Sequence, residues 1–248
     1  MTEQQTQVVG INSSGETVGF WIDTNGVTHG FTDVGGTFTN VNDPNTTTLT
    51  QLLGVNNSGE AAGYYTNAAG NFVPFTWTPG TFTLIPLPGL VSAQATDVNN
   101  AGEVVGFNMT SATTSYGWLD NGGVFTLLNF PGSTFTQALG LNNTGLIVGT
   151  YTDSSGNMHG FLYNVATGTY QGIDDPNGVG ATTINGINDL DELVGFYATG
   201  TTMQNGVSVT VTDGFVASVA TTPEPGSLIP VGIGLLSLGG FKLRRRRG

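Results

Sequence analysis

The stretch GLNNTGLIVGTYTDSSGNMHGFLYNVATGTYQGIDDP, residues 140–176, decides the fold, because its pattern recurs along most of the chain. The sequence contains five copies of it, called repeats 1 to 5 here, and each is aligned on one asparagine. These asparagines, 44, 43, 43 and 46 residues apart, are Asn12, Asn56, Asn99, Asn142 and Asn188. A period of this length is typical of repeat architectures, in which one repeat cannot bury its apolar face without its neighbours.

Each of these asparagines is predicted to begin the tip of a β-hairpin. In repeat 4 the tip reads Asn142-Asn143-Thr144-Gly145. An asparagine side chain can hydrogen-bond the backbone two residues on, and glycine adopts positive φ without a Cβ clash. The flanking segments are short and rich in Val, Ile and Leu, as strands require. A glycine follows each asparagine after seven residues, at Gly19, Gly63, Gly106, Gly149 and Gly195.

Two further strands are predicted after each hairpin. The third contains an aromatic residue, namely Phe31, Phe75, Trp118, Phe161 or Phe215. The fourth has an aromatic six residues before a proline in four repeats, pairing Phe38 with Pro44, Phe82 with Pro88, Phe125 with Pro131 and Tyr170 with Pro176. Repeat 5 runs into Thr221 without a fourth strand. Four short strands in about 44 residues predict an all-β, five-bladed β-propeller-like domain over residues 1–220. An open β-solenoid of hairpins is the alternative, and the ring is favoured because closure removes exposed strand edges.

The charge of the chain excludes one class of partner. All 17 acidic residues lie in residues 1–241, and the five basic residues are Lys242, Arg244, Arg245, Arg246 and Arg247. A body with no Lys or Arg repels phosphate backbones, so nucleic-acid binding is not expected. The chain has no cysteine, which excludes disulfides and thiolate chemistry.

No catalytic residue is predicted. His29 and His159 precede Gly-Phe at the same repeat position, which favours a structural role in the repeat. A propeller glycosidase would need two or three carboxylates meeting in the channel. Asp97 is the candidate of interest, because it replaces the glycine found at this position in the other repeats. Most remaining acids fall in predicted turns, where they are ordinarily solvated.

No cofactor or metal is predicted, although two acidic clusters could attract calcium. Asp174-Asp175 and Asn188-Asp189-x-Asp191-Glu192 offer the hard oxygen ligands that Ca²⁺ prefers, but neither follows an EF-hand pattern. The aromatic series of the fourth strand is expected to pack between neighbouring repeats. A lectin-like role, in which these rings stack on sugars, is the alternative.

Residues 221–248 form a separate segment. Pro223, Glu224 and Pro225 precede an apolar run over residues 226–241, and a basic cluster ends the chain. The run has 16 residues and would span about 24 Å as a helix. A short transmembrane helix is predicted there, with the basic cluster retained in the cytoplasm. The first residues, MTEQQTQVVGIN, contain no recognisable signal peptide, which leaves the native start open.

This C-terminal segment resembles the PEP-CTERM sorting signal, in its Pro-Glu-Pro motif, apolar run and terminal arginines. The body is similar to the HAF-type extracellular repeat family, through its Gly-(Ile/Leu/Val)-Asn-x-x-Gly-x-x-Val-Gly pattern and His-Gly-Phe strands. The resemblance implies export, transient anchoring in the inner membrane and cleavage by an exosortase-type enzyme. It carries no settled activity.

The sequence therefore predicts an exported, non-enzymatic repeat protein of the cell surface or extracellular matrix. Its expected partners are an exosortase and, transiently, the membrane, with polysaccharide as a further candidate. A carbohydrate-binding propeller is the second hypothesis and a propeller glycosidase the third.

Overall fold

The computed structural model describes residues 3–89, 91–111, 113–204 and 207–219. Nineteen β-strands and no helix occur in these ranges. The all-β class predicted from the repeats is confirmed. No described helix is long and apolar enough to cross a membrane. The predicted transmembrane helix and the sorting motif lie outside the described residues.

Repeats 1 to 4 each contain four strands. Those of repeat 1 are Glu3–Ile11 (β1), Thr17–Asp23 (β2), Thr28–Val34 (β3) and Thr37–Val41 (β4). Those of repeat 2 are Thr50–Val55 (β5), Ala61–Thr66 (β6), Phe72–Thr78 (β7) and Thr81–Leu84 (β8). Those of repeat 3 are Ala93–Val98 (β9), Val104–Ser111 (β10), Thr114–Asn121 (β11) and Val124–Leu128 (β12). Those of repeat 4 are Phe135–Leu141 (β13), Leu146–Thr152 (β14), Met158–Asn164 (β15) and Thr169–Ile173 (β16).

Repeat 5 departs from this plan. Its strands are Thr182–Ile187 (β17), Glu192–Gln204 (β18) and Val207–Ser218 (β19). Its sheet has three strands within the described residues, in the order β17, β18 and β19. The insertion of repeat 5 lengthens the β18–β19 hairpin, whose pairing extends to Gln204 and Val207.

Strands pair antiparallel with their sequence neighbours inside each repeat, as the short turns require. Repeats 3 and 4 are joined into one eight-stranded sheet by a parallel bridge between Ser115 and Phe135. Parallel bridges also connect Thr28 to Leu49 and Met158 to Ala181. Each of these bridges joins the third strand of one repeat to the start of the next, so consecutive repeats meet at the same point.

The recurring asparagine closes its hairpin as predicted. In repeat 4 the Oδ1 atom of Asn142 accepts hydrogen bonds from the main-chain N–H groups of Thr144, at 3.1 Å, and Leu146, at 2.9 Å. The other four asparagines accept the equivalent pair of bonds. The turn glycine takes positive φ in repeats 1 to 4, and Asp191 takes a φ of 57° in its place in repeat 5.

The glycine seven residues after the asparagine is required by close packing. A Cβ atom at Gly149 would overlap the main-chain oxygen of Gln137 on the paired strand β13. The equivalent glycines of the other repeats approach the first strand in the same way. This position lies at the bulge of the first hairpin, where the register of β13 and β14 shifts.

The apolar core consists of four clusters, each shared by two consecutive repeats. Between repeats 4 and 5 the cluster contains Val148, Leu162, Ile173, Ile184, Leu193 and Ala217. The equivalent contacts at the earlier junctions join Val18 with Leu52, Ala62 with Ala95, and Val105 with Ala138. The core therefore lies between repeats rather than within them, and this explains why a single repeat could not fold alone.

Candidate functional site

The first strands of all five repeats line one central cavity. It has a volume of about 560 Å³ and includes residues of β1, β5, β9, β13 and β17 in its wall. Neighbouring first strands approach each other closely: a Cβ atom at Gly140 would lie 2.9 Å from the Cα atom of Gly186. The glycines two residues before the motif asparagines therefore allow the first strands to converge on this central cavity, which we call the channel.

Asp97 is the exception to this glycine series, and its side chain lines the channel. Its Oδ1 atom accepts a hydrogen bond from its neighbour Val98 N–H at 2.9 Å, and Oδ2 accepts one from Leu141 N–H of repeat 4 at 3.0 Å. Burial raises the pKa of Asp97 to about 7, although both hydrogen bonds lower it. Asp97 thus connects repeats 3 and 4, and both of its oxygens are engaged by the main chain.

The asparagine tips surround one mouth of the channel, around a second cavity of about 380 Å³. Each Asn side chain of repeats 1 to 4 donates to the main-chain oxygen of the motif asparagine in the next repeat. These bonds join Asn12 to Asn56 at 2.9 Å, Asn56 to Asn99 at 3.0 Å, Asn99 to Asn142 at 3.3 Å, and Asn142 to Asn188 at 3.1 Å. One side chain therefore closes its own turn and also holds the next repeat.

A second series of hydrogen bonds runs beside the first. The residue after each motif asparagine donates its main-chain N–H to the side chain at the same position in the next repeat. The donors and acceptors are Ser13 and Asn57, Asn57 and Asn100, Asn100 and Asn143, and Asn143 and Asp189. Four consecutive junctions are thus linked twice at this mouth.

His159 lies between two carboxylates in repeat 4. Its Nδ1 atom is 2.9 Å from Oδ2 of Asp174, and its Nε2 atom is 3.2 Å from Oδ2 of Asp153. The ring stacks on Tyr151, with 5.1 Å between the ring centroids. Partial burial of the imidazole lowers its pKa, but the two carboxylates outweigh this effect and raise the pKa of His159 above its ordinary value.

Asp153 is perturbed in the opposite direction. The main-chain N–H of Asn157 lowers its pKa most, and His159 lowers it further, to about 2. Asp153 therefore stays ionised over the physiological range, and the charged form of His159 is favoured beside it. The arrangement is a charge-paired histidine with both ring nitrogens occupied, which agrees with the structural role expected from its repeat position.

Repeat 1 contains the related group around His29. Its Nδ1 atom lies 3.0 Å from Oδ1 of Asn42, and its Nε2 atom lies 3.5 Å from Oδ2 of Asp23. The ring stacks on Trp21 at a centroid distance of 4.4 Å. The two histidines thus share their position, an aromatic support and one Asp, but Asn42 stands where repeat 4 has Asp174.

Each histidine borders a surface cleft next to the following repeat. The cleft at His159 has a volume of about 300 Å³, and Met158, Asp174, Asp175 and Thr182 contribute to its wall. The cleft at His29 is smaller, at about 140 Å³.

The loop beside each cleft is built alike. Asp43 and Asp175 each receive a main-chain bond from an Asn two residues later, and each donates its own N–H to a threonine of the next first strand. Oδ2 of Asp43 is buried and makes no hydrogen bond with the described residues.

The carboxylates considered as calcium ligands are directed elsewhere. Asp174 contacts His159, Asp175 accepts from Asn177, and Asp189 accepts from Asn143. Asp191 accepts from Asn142 at 2.9 Å, and Glu192 accepts from Asn188 at 2.8 Å. Within the described ranges, no three His, Asp or Glu side chains are arranged to hold a metal ion.

The fourth-strand aromatics mostly pack against the core, as expected. Phe82, Phe125 and Tyr170 are partly buried against three of the apolar clusters. Phe38 is exposed and contacts Phe31 at a centroid distance of 5.4 Å. The sorting residues Pro223, Glu224 and Pro225 and the basic cluster from Lys242 lie outside the described residues.

Comparison with known proteins shows the fold alone. No family model and no curated protein matches the chain. A prolyl endopeptidase structure is similar with 14% identity and a TM-score of 0.53, over 85% of this chain and 35% of that one. TolB from Acinetobacter baumannii is similar with 11% identity and a TM-score of 0.55, over 86% and 51%. A SapL1 lectin in complex with alpha methyl fucoside gives 12% identity and a TM-score of 0.46, over 88% and 81%.

The endopeptidase and TolB structures, both with TM-scores above 0.5, are of the β-propeller type, and the chain therefore has a β-propeller-like fold. The chain spans about a third of the endopeptidase chain and about half of TolB. The chemistry of those larger proteins is a property of the whole molecules.

Proposed function

We propose that the chain is a five-bladed β-propeller and serves as a non-enzymatic scaffold at the bacterial cell surface or in the extracellular matrix. Each repeat is one blade in this proposal, and repeats 3 and 4 are two blades joined by the bridge between Ser115 and Phe135. The convergence of all five first strands on one channel supports this count.

The double series of hydrogen bonds at the channel mouth carries the proposal. The motif asparagines and the residues after them occupy the place where a propeller channel opens, yet they bond to the next repeat. Both carboxylate oxygens of Asp97 likewise accept hydrogen bonds from main-chain N–H groups. Polar side chains with such partners stabilise an array of repeats, and this is the task of a scaffold.

Export and processing are proposed from the sequence of residues 221–248. The apolar run is short for a membrane span, and its glycines weaken a helix by up to about 1 kcal/mol each relative to alanine. Such a segment suits transient anchoring in the inner membrane, with the arginines as a cytoplasmic stop, followed by cleavage near Pro223 by an exosortase-type enzyme. The released body, with no Lys or Arg, would be strongly acidic and well solvated.

The mass of the mature protein tests this proposal. The chain would be recovered from the envelope and medium of a host with an exosortase, and of the same host lacking it. We expect loss of residues after about Pro223 only when the enzyme is present. A Glu224→Ala variant should block this loss, whereas Glu103→Ala, in the body, should not. A mature protein that keeps Arg244–Arg247 would contradict processing.

A second candidate is polysaccharide binding at the cleft beside His159. This cleft is lined by the charge-paired His159, by Asp174 and by Thr182, and carboxylates and hydroxyls of this kind bond readily to sugar hydroxyls. Retention on the native exopolysaccharide would test it. Asp174→Ala should reduce retention, and Asp120→Ala, remote from the cleft in repeat 3, should leave it unchanged. Equal retention of both variants would contradict this site.

A further inference from the structure

The cleft beside His159 is bordered by an acidic oxygen that receives no hydrogen bond. Asp175 lies in the wall of this cleft and is only 7% exposed. Its Oδ1 atom accepts hydrogen bonds from the main-chain N–H and the Nδ2 atom of Asn177, at 2.8 and 2.9 Å. Its Oδ2 atom accepts none from the described residues. An oxygen of this kind needs a partner, because a carboxylate taken out of water without one costs free energy.

The body of the protein has no basic side chain to spare for this oxygen. Residues 1–241 contain no Lys or Arg, and the two histidines of the chain are His29 and His159. Both ring nitrogens of His159 already contact carboxylates. His29 belongs to repeat 1 and borders the other cleft. A cation beside Asp175 must therefore come from outside the body.

Hydrogen-bond acceptors dominate the wall of this cleft. Asp174 contributes a second carboxylate, and its side chain is 51% exposed. Asn157 donates its Nδ2 atom to Asp153, while its Oδ1 atom accepts no bond from the described residues. The main-chain N–H groups of Met158 and Gly178 are both used inside the protein. A wall with several acceptors to spare favours a ligand that donates several hydrogen bonds.

The equivalent cleft in repeat 1 does not share these features. Asn42, which is neutral, stands beside His29 in the place of Asp174. Asp43 has the position of Asp175, but it is not among the described residues of that cleft's wall, and its Oδ2 atom is buried. The repeat pattern alone therefore does not account for the acidic cleft of repeat 4. The two clefts form a natural pair for comparison.

We propose that the cleft beside His159 binds the protonated amine of an amino sugar. An ammonium group has three N–H donors and no acceptor, which matches a wall that contains Asp174, Asp175 and Asn157. Its hydrogen bonds to carboxylates are charge-assisted and therefore stronger than bonds between neutral groups. The cleft, at about 300 Å³, has the size of a small-molecule site.

This inference rests on the second candidate function, polysaccharide binding, and names the class of polysaccharide. The polymer would contain deacetylated amino sugars, which carry positive charge. A polymer rich in uronic acid or sulfate is disfavoured, because the acidic body would repel it and has no Lys or Arg to bind it.

An ammonium group suits this cleft better than a metal ion does. Ca²⁺ takes six to eight oxygen ligands. Within the described ranges, no three His, Asp or Glu side chains are placed to hold an ion. Both oxygens of Asp174 also contact Nδ1 of His159, at 3.0 and 2.9 Å. A carboxylate oxygen has a second lone pair, so Asp174 can contact His159 and still accept a bond from an ammonium group.

NMR titration of the imidazole protons tests the proposal, because the two histidines of the chain report on the two clefts. The probe is the disaccharide of glucosamine, added to the full chain at about pH 6, where such an amine is protonated. We expect the signals of His159 to shift until the site is saturated and those of His29 to stay unchanged. The N-acetylated disaccharide has the same rings without the charge and should bind about tenfold more weakly, or less.

One substitution in each cleft provides a matched comparison. Asp175→Asn keeps an acceptor for Asn177 but removes the charge, and should weaken binding of the glucosamine disaccharide by about tenfold or more. Asp43→Asn makes the same change at the equivalent position of repeat 1 and should bind like the wild type. Thermal unfolding would verify that both variants fold. If Asp175→Asn does not fold, Asp174→Asn, at an exposed side chain, replaces it and should weaken binding as well.

Several results would overturn the proposal. Wild-type affinity in a folded Asp175→Asn or Asp174→Asn variant would do so, and equal shifts at His29 and His159 would show general attraction to an acidic protein. Tighter binding of N-acetyl-lysine amide would assign the cleft to a lysine of a partner protein. Absence of any shift, as expected if the basic cluster from Lys242 filled the cleft, would also overturn it.

The two disaccharides separate this inference from the candidate function beneath it. Equal binding of both at His159 would overturn the amine and leave polysaccharide binding intact. Loss of both, together with no retention on the native exopolysaccharide, would overturn the inference and the candidate function alike.

Discussion

Ile184 and Val8 occupy the same position of the repeat but differ completely in burial. Ile184 is enclosed by Val148, Leu162 and Ile173 of repeat 4, whereas no preceding repeat covers Val8 within the described residues. The turn that follows each of them is built alike, with the same pair of side-chain to main-chain bonds. The motif therefore sets the local geometry of a repeat. The free energy that stabilises the repeat comes mainly from packing against its neighbour.

The largest expected effect follows directly from this difference. Ile184→Ala should lower the free energy of unfolding by about 2–5 kcal/mol, because it leaves a cavity in a packed junction. Val8→Ala removes an exposed side chain and should change it by less than about 0.5 kcal/mol. Urea unfolding, followed by tryptophan fluorescence at low protein concentration, measures both. Similar costs for the two variants would show that the end of the array is as well packed as its interior.

Asp97 should make the junction between repeats 3 and 4 sensitive to pH. Its folded-state pKa, about 7, lies above its ordinary value near 3.8, so the folded protein binds more protons between these pH values. The stabilisation is therefore complete below about pH 4 and is lost as the pH rises through 7, with a slope of at most about 1.4 kcal/mol per pH unit.

The Asp97→Asn variant should flatten this part of the stability curve. Chemical unfolding at a series of pH values from 4 to 8 would show it, with Asp33→Asn, in a hairpin turn of repeat 1, as the matched control. If Asp97→Asn keeps the wild-type slope, the pH dependence arises from another group.

The motif asparagines allow a second comparison between a position inside the array of repeats and a position in its last repeat. Asn142→Ala loses the bonds of its own turn and those to Asn188 and Asp191 of repeat 5. We expect it to cost about 1–3 kcal/mol, since Asn142 is buried and its loss removes bonds to repeat 5 as well as those of its own turn. Asn188→Ala loses its turn bonds and the bond to Glu192, at an exposed site, and should cost about 0.5–1.5 kcal/mol. If the same unfolding assay gives both variants an equal loss in the free energy of unfolding, the asparagine does not stabilise the contact between repeats.

Much of the architecture could be predicted from the sequence, because turn chemistry is local. The Asn-x-x-Gly tips and the seven-residue spacing to Gly149 and its equivalents both follow from residues close in the chain. The packing of Phe82, Phe125 and Tyr170 was also predictable, since a fixed repeat position favours a repeated environment.

The contacts between repeats could not be predicted in the same way. A spacing of 43 residues does not reveal that the Nδ2 atom of Asn99 reaches the main chain of Asn142. Asp174 was grouped with Asp175 as a calcium ligand because they are adjacent in sequence, but the fold turns Asp174 toward His159. Asp191 replaces the turn glycine and adopts positive φ. Only the structure reveals that its carboxylate accepts a hydrogen bond from the Nδ2 atom of Asn142.

The smallest expected effect concerns His159 and His29, which occupy equivalent surface sites in repeats 4 and 1. His159 faces Asp153 and Asp174, and Tyr151 packs on its ring, so the raised pKa of His159 has carboxylates as its cause. A histidine whose folded-state pKa is raised stabilises the protein fully below its ordinary pKa, near 6.5, and loses this contribution as the pH rises through the folded-state value. Because the group is near the surface, the contribution should be below about 1 kcal/mol.

Asp174→Asn gives repeat 4 the composition of repeat 1, where Asn42 contacts His29, and should lower the pKa of His159 in an NMR titration of the imidazole protons. Asp33→Asn, distant in sequence and in another repeat, should leave that titration unchanged. If the titration of His159 is the same in Asp174→Asn and the wild type, the bond to Asp174 does not set its charge, and the two histidine sites differ in composition only.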